Sequence, residues 1–413
     1  MLILAALAAG ESVVSGLLEG EDVMHTAAAL RCLGAEVERS DGRWHVHGRG
    51  VGGLQEPPGI LDFGNAGTGA RLLMGALASH PFVSFFDGDE SLRRRPMARV
   101  AAPVERMGAQ IVARSGVRLP LAVIGTSSPV PIRYELPVAS AQVKSAILLA
   151  GLNTPGTTEV VEPVATRDHT ERLLRHFGAE ITMEETDGGG ASTVLTGQPE
   201  LTAREVTVPG DPSSAAFLVV AALLCPDAEV TIEQVCVNPR RIGLYDILRE
   251  MGADITFADP RSVSGEDVAD IKVRASALTG VDVPPERAPS MIDEYPVLGV
   301  AAACARGVTR LRGLAELRVK ESDRLAAMAR GLQSCGVAVQ ETEDGLTIEG
   351  APAPPGGARI TTDLDHRIAM AFLVMGVATR HPVEIDDGRT IATSFPGFTE
   401  LLNGLGARIT AAS

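Results

Sequence analysis

The sequence predicts an α/β chain of closed lobes built from six copies of one unit, and three observations carry that prediction. A glycine phrase recurs as CLGAEVE, RMGAQIV, HFGAEIT, EMGADIT, SCGVAVQ and GLGARIT. Its glycines fall at 34, 108, 178, 252, 336 and 406, spaced 74, 70, 74, 84 and 70 residues apart. Each phrase closes an amphipathic helix, where glycine can take a left-handed cap before alternating residues open a strand. Secondly, a helix rich in Ala, Gly and Leu precedes each phrase, as in SAQVKSAILLAGLN and DPSSAAFLVVAALL. A helix apolar on all sides sits inside a domain. Thirdly, the 413 residues are 45% apolar but only 3% aromatic, so the core is built from small side chains that suit close packing. One or two such helix-to-strand junctions would mean nothing; six near-even copies are an internal repeat. Units of about 70 residues exceed the solenoid range, which favours closed domains. The length suits two domains or three. Three copies per lobe give two lobes that meet near Val208–Ser214.

Within a unit the expected order is buried helix, β-branched strand, amphipathic helix, strand, then a further strand or hairpin such as RWHVHG or GLTIEG. Copy one is MLILAALAAGESVVSGL. Its apolar run is no signal peptide, since no Lys or Arg lies between Met1 and Leu30 and Glu11, Glu19, Glu21 and Asp22 follow. It is also far short of the ~20 apolar residues of a membrane span. The other five buried helices have polar lead-in segments: NAGTG, ASAQVK, PGDPSS, PSMIDEY and TTDLDHR. These are expected to cap the helices and to present backbone N–H groups toward an anion.

Charge narrows the function classes. With 37 Lys and Arg against 52 Asp and Glu, the net charge is −15, which opposes general affinity for nucleic acid or anionic membrane. The five cysteines are scattered without a CxxC and read as reduced, half-buried residues of a cytoplasmic protein. The eight histidines show no metal-ligand spacing, so no metal is expected. Local cations stand out against the acidic background. LRRRPM carries Arg95, LRVKESDRL carries Lys320, Glu321 and Arg324, and LDHR carries Asp365, His366 and Arg367. Each alone reads equally well as a solvated turn or a helix cap. Lys320 and Arg324 are read as neighbours one turn apart at the start of a helix, unfavourable unless an anion or an acid lies between them. Taken together, Arg95, Arg324 and Arg367 suggest guanidinium binding of a multiply charged anion, with Asp293 and Glu321 able to move protons among the cations.

N-A-G-T-x-x-R, R-P-M, S-A-Q-x-K-S, P-S-M-I-D-E-Y-P, V-K-E-S-D-R and L-D-H-R-I-A-M stand in the order seen in the 5-enolpyruvylshikimate-3-phosphate (EPSP) synthase family. The resemblance runs from Met1 to about Ala411. TRDHTE, APSMIDEYP and IATSFP look like the bacterial subgroup known for glyphosate tolerance. It implies an α/β (α+β) chain of two inside-out α/β domains, each of three βαβαββ repeats, the enolpyruvyl transferase fold. Residues 1–209 would form the shikimate 3-phosphate side, and 210–413 the phosphoenolpyruvate side with the catalytic acids. The implied reaction transfers enolpyruvyl from phosphoenolpyruvate to the 5-hydroxyl of shikimate 3-phosphate, with phosphate released through a tetrahedral intermediate. By resemblance, Gly67, Arg95, Gln142, Arg324 and Arg367 hold phosphoenolpyruvate. Ser140, Gln142, Arg167, Asp293 and Lys320 hold shikimate 3-phosphate. Asp293 would take the 5-hydroxyl proton, and Glu321 would help protonate the methylene carbon. No metal or organic cofactor, no nucleic-acid or membrane partner and a monomer are expected.

Two departures from the family pattern are visible. Thr393 stands where some members carry a lysine before the terminal S/T-F-P. The family opens copy one with P-G-D-K-S-x-S-x-R, which would end just before Met1, while VPGDPSS echoes it at copy four. The expectation is therefore that a substrate-binding segment precedes Met1, through a misassigned start or a choice of expressed segment, and that the chain as written turns over little. Gly67 leaves room for glyphosate, which occupies the phosphoenolpyruvate site in the family, so greater sensitivity is expected than in relatives with Ala there. The rivals are UDP-N-acetylglucosamine enolpyruvyl transferase, expected to show an active-site loop cysteine, and a non-catalytic binder of shikimate 3-phosphate.

Overall fold

The computed structural model describes residues 1–186 and 188–411, and the chain divides into two compact units. The first comprises Met1–Val208 with Val263–Glu266; the second comprises Pro209–Ser262 and the chain from Asp267 onward. No feature of the sequence marks Val263–Glu266 as part of the first.

Each unit is organised around three buried helices. In the first they are Leu2–Ala6, Gly67–Ala78 and Ala141–Leu152; in the second, Pro212–Leu224, Tyr295–Cys304 and His366–Met375. They are rich in Ala and Leu, good helix formers with no polar face to solvate. Within Ala141–Leu152 every residue from Val143 to Leu152 is buried, Lys144 included. A Cβ at Gly75 would lie 2.1 Å from the Ala146 carbonyl oxygen, so glycine allows the second and third core helices to meet backbone to backbone.

The outer helices Glu21–Cys32, Ala98–Arg106, His169–His176, Gly243–Glu250, Arg324–Ser334 and Phe398–Gly404 all stop in the same way. Gly34, Gly108, Gly178, Gly252, Gly336 and Gly406 adopt positive φ. The next residue's N–H then turns back to a carbonyl five residues earlier, from Ala35 to Leu30 at 3.1 Å through Ala407 to Leu402 at 3.0 Å. This is the hydrogen bond that satisfies a helix end when glycine takes the left-handed position. The recurring phrase in the sequence is thus a repeated helix stop.

The sheets lie outside the core helices. In the first unit each is four-stranded: a short strand donated by the preceding copy pairs in parallel, and the rest are antiparallel. Glu205–Thr207, at the end of the third copy, pairs with Ala9–Ser15 of the first and so closes the ring. The second unit has a three-stranded sheet around Glu229–Cys236, a four-stranded sheet around Gly307–Leu311, and the parallel pair Arg359–Ile360 with Glu384–Ile385. Strands such as Arg43–Arg49 bury alternate side chains, Trp44 and Val46, against the helices and turn the others to solvent. Among the described residues no helix is long and apolar enough to cross a membrane. The cysteines are free thiols, but not uniformly half-buried: Cys32 and Cys225 are exposed, whereas Cys236, Cys304 and Cys335 are buried.

Candidate active site

In the first unit the second core helix begins at Gly67 with Ala66 at its N-cap and no side-chain cap. Asn65 does not cap it as expected; its carbonyl accepts the Gly67 N–H at 2.7 Å. One turn on, Arg71 Nη1 donates to Gln142 Oε1 at 3.1 Å, and Gln142 Nε2 donates to Thr68 Oγ1 at 2.8 Å. Gln142 therefore joins the starts of two core helices. Arg93 is paired with Asp87, and Arg94 with Glu90. Arg95 follows them in extended backbone, φ −78 and ψ 132, as a residue before proline must. Its backbone N–H donates to the Leu92 carbonyl at 3.1 Å, and among the described residues its side chain has no hydrogen-bond or ion-pair partner.

Arg71 and Arg95 converge over Gly67. A Cβ built there would lie 3.1 Å from Arg71 Nη1 and 3.2 Å from Arg95 Nη1. Burial, together with the charges of Arg95 and Arg99, pushes the Arg71 guanidinium down to about 10. Its hydrogen bonds run to the neutral acceptors Gly67, Gln142 and Pro96. Among the described residues neither the Arg71 nor the Arg95 side chain is paired with a carboxylate, so the two form a cationic patch over Gly67. Ser140 caps the third core helix through a long 3.5 Å contact with the Val143 N–H. Arg167 lies in the loop between Thr157–Glu162 and His169–His176. The helix that follows the loop is tied to the helix headed by Ser140 through Ser145 Oγ and Thr170 Oγ1, 2.7 Å apart.

The second unit builds its half-site differently. Arg324 is the first residue of Arg324–Ser334, and Asp323 caps that helix by accepting the Ala326 N–H at 3.0 Å. Lys320 instead ends the 3₁₀ turn Ala315–Val319, so Lys320 and Arg324 do not share a helix face as the spacing predicted. Arg324 is only 1% exposed and is surrounded by acids. Its Nε donates to Asp365 Oδ2 at 2.8 Å, its Nη2 lies 2.5 Å from Glu321 Oε2, and its Nη1 lies 3.4 Å from Asp293 Oδ1. Lys320 Nζ stands 3.6 Å from the same Asp293 oxygen and 2.9 Å from Glu316. Arg367 Nη1 donates to the Asp293 carbonyl at 3.1 Å and lies 3.9 Å from Glu294 Oε1. Asp293, Lys320, Glu321, Arg324 and Arg367 are thus one connected cluster.

Electrostatics explains why charges survive there. Burial works against the Asp365 carboxylate, but Arg324 more than offsets this and holds the carboxyl below its usual range. Burial likewise opposes the Arg324 cation, and Asp365, Glu321 and Asp293 outweigh it. For His366 the nearby carboxylates of Asp365 and Glu321 are outweighed. Burial, then the charge of Arg367, pushes it down to about 4, so at neutral pH it is an uncharged imidazole that can accept a proton only at a cost.

A further acidic layer lies beneath. Asp211 caps the fourth core helix by accepting the Ser214 N–H at 2.9 Å, and Arg241 Nη2 lies 2.9 Å from Asp211 Oδ1. Arg241 also donates to Ser213 Oγ at 2.9 Å, and Ser213 donates to Glu294. The lead-in segments PGDPSS and TTDLDHR thus cap their helices as expected, through the carboxylates of Asp211 and Asp365. Sequence reasoning gave no role to Arg71, Asp211, Arg241 or Glu294. The first was legible as the residue one turn beyond Gly67, and the acids as Asp or Glu at the helix starts.

The EPSP synthase (3-phosphoshikimate 1-carboxyvinyltransferase) family model matches residues 1–402. The 3-phosphoshikimate 1-carboxyvinyltransferase of Paramagnetospirillum magneticum is 65% identical over 410 residues, covering 99% of this chain and 92% of that protein. An EPSP synthase structure from Acinetobacter baumannii superposes with a TM-score of 0.88 at 45% identity, covering 98% of this chain and 92% of that one. The enolpyruvyl transferase NikO from Streptomyces tendae shares the fold alone, with a TM-score of 0.74 at 19% identity over 98% of this chain and 92% of NikO. Helices inside, sheets outside and a six-fold repeat thus form the enolpyruvyl transferase fold, and the chain belongs to the EPSP synthase family.

Proposed function

We propose that the chain transfers the enolpyruvyl group of phosphoenolpyruvate to the 5-hydroxyl of shikimate 3-phosphate and releases phosphate. The observation that supports the residue assignments is the cluster around Arg324, where three carboxylates meet one buried guanidinium and two further cations, Lys320 and Arg367, meet Asp293. Within the first unit, Arg95 and Gln142 receive phosphoenolpyruvate over Gly67, while Ser140, Gln142 and Arg167 receive shikimate 3-phosphate. Within the second, Arg324 and Arg367 bind the phosphate and carboxylate of phosphoenolpyruvate, and Lys320 the shikimate ester. Charge-assisted guanidinium hydrogen bonds suit both anions.

In the addition step Asp293 takes the proton of the 5-hydroxyl as its oxygen attacks C2 of phosphoenolpyruvate. Glu321 helps deliver a proton to C3, turning methylene into methyl. Elimination returns that proton and expels phosphate, re-forming the double bond. Arg324 contacts both carboxylates, so it can stabilise whichever is charged at each step. The test is phosphate release that requires both substrates, with the enolpyruvyl ether identified as product. Release with either substrate alone, or no release together with no binding of shikimate 3-phosphate, overturns the reading.

Two finer points belong to the same reading. We place the chain with the glyphosate-tolerant bacterial subgroup by its motifs, yet the space over Gly67 favours inhibitor binding. Gly67→Ala would press on Arg71 and Arg95 at contacts tighter than van der Waals packing allows. It is expected to raise the glyphosate inhibition constant, and an unchanged constant refutes the crowding. We also read the enzyme as a cytoplasmic monomer, which fractionation and light scattering test.

A further inference from the structure

Lys144 lies in the middle of the S-A-Q-x-K-S motif, two residues after Gln142, and no role in the reaction has been given to it. It is fully buried in a core helix, an arrangement that requires partners. Its Nζ donates to Glu162 Oε2 at 2.7 Å and lies 2.7 Å from Glu171 Oε1. Both carboxylates are as buried as the ammonium. Glu162 ends the strand Thr157–Glu162, and Glu171 lies in the first turn of His169–His176. The loop between them carries Arg167. The other oxygen of Glu162 accepts the Thr166 hydroxyl, one residue before Arg167. Ser145, next to Lys144, meets Thr170 at 2.7 Å.

We propose that Lys144 is a positioning residue: its buried ammonium clamps both ends of the Arg167 loop onto the helix that bears Ser140 and Gln142, fixing the three shikimate 3-phosphate contacts of this unit relative to one another. The inference rests on the assignment of Arg167 to shikimate 3-phosphate made above. Its physical basis is that a bare hydrophobic core would serve stability at least as well. One ammonium between two carboxylates leaves a negative charge unmatched, and burial pushes the Glu171 carboxyl up. Such a group is poorly explained by stability alone. What it provides is direction, because a short charge-assisted hydrogen bond sets geometry that apolar packing does not.

The test is a double-mutant cycle read as shikimate 3-phosphate affinity by titration calorimetry, with thermal stability measured alongside. Lys144→Met with Glu162→Gln and Glu171→Gln neutralises the triad while nearly preserving its volume. In the parent background this triple change is expected to weaken shikimate 3-phosphate binding about tenfold, and in an Arg167→Ala background by less than about twofold. Equal losses in both backgrounds mean a structural role only and overturn the proposal while leaving the Arg167 assignment standing. An Arg167→Ala protein that binds like the parent overturns that assignment and the proposal with it. Should the triple variant not fold, Thr166→Val removes the loop's hydrogen bond to Glu162 while keeping all three charged residues of the triad. It is expected to weaken binding about threefold in the parent and not in Arg167→Ala; no change in the parent overturns the proposal.

Discussion

The Gly67 patch of the first unit and the Arg324 cluster of the second stand on copies of one repeat but hold their cations in opposite ways. The first gathers Arg71 and Arg95 over Gly67, with Arg99 near, and supplies neutral acceptors only. The second places Asp365, Glu321 and Asp293 around Arg324, and Glu294 and Glu316 beside Arg367 and Lys320. Helix starts repeat the contrast. In the first unit Gly67 is uncapped and Ser140 makes a long contact, whereas in the second Asp211 and Asp365 accept N–H bonds at 2.9 Å. An uncompensated cationic patch is held under strain that an arriving anion relieves. A compensated cluster is already stable, and its carboxylates can exchange protons among fixed cations. The first arrangement suits binding and the second suits chemistry.

The sharpest way to break this comparison is to remove one acid from the second unit. Asp365→Ala leaves Arg324 buried without its main partner and is expected to cost about 3–5 kcal/mol of stability, read by denaturant unfolding. A loss below about 1 kcal/mol would mean the cluster is not self-compensated. A smaller effect comes from His366. Its folded value near 4 lies below the ordinary 6.5, so the unfolded chain binds the proton more readily. The stability it contributes is complete above pH 6.5 and lost as pH falls toward 4, by about 1–3 kcal/mol. His366→Asn should flatten the stability–pH curve across that window, and an unaltered slope would remove the histidine from the account. In the first unit Arg95→Ala should leave stability within about 0.5 kcal/mol of the parent, because the side chain loses no partner. The same change should weaken phosphoenolpyruvate binding about tenfold or more, measured by calorimetry. Least of all, Arg95→Ala should raise the Arg71 guanidinium, whose depression owes part to that neighbour, detectable in the pH dependence of its nitrogen chemical shifts. An unmoved Arg71 would mean that burial alone accounts for it.

Much of the architecture was legible before any coordinates. The glycine at the end of each outer helix is a local signal, since its positive φ and the returning N–H bond involve only neighbouring residues. The core helices could be read because a helix apolar on every side has nowhere else to go. Local reading failed at Asn65, which does not cap, and at Lys320, which belongs to a 3₁₀ turn and not to the helix of Arg324. At Asn65 the backbone carbonyl, in place of the side chain, takes the Gly67 N–H, and at Lys320 the ammonium turns to Asp293 from another part of the chain. The expectation that polar lead-in segments cap the core helices held in the second unit at Asp211 and Asp365, whose carboxylates take first-turn N–H groups themselves.

What the sequence determined by itself was the repeat, the buried helices, the helix stops and the inventory of cations and acids. Those are properties of neighbouring residues or of composition along one element. Which cation meets which acid was decided only by the tertiary structure. Arg324 and Asp365 are 41 residues apart, and Arg71 and Gln142 are 71 apart. Coulomb energy and desolvation depend on distances and burial that the chain acquires only when its helices close around one another. An arginine of one unit, Arg71, thus meets only neutral acceptors, whereas an arginine of the other, Arg324, is held by three carboxylates.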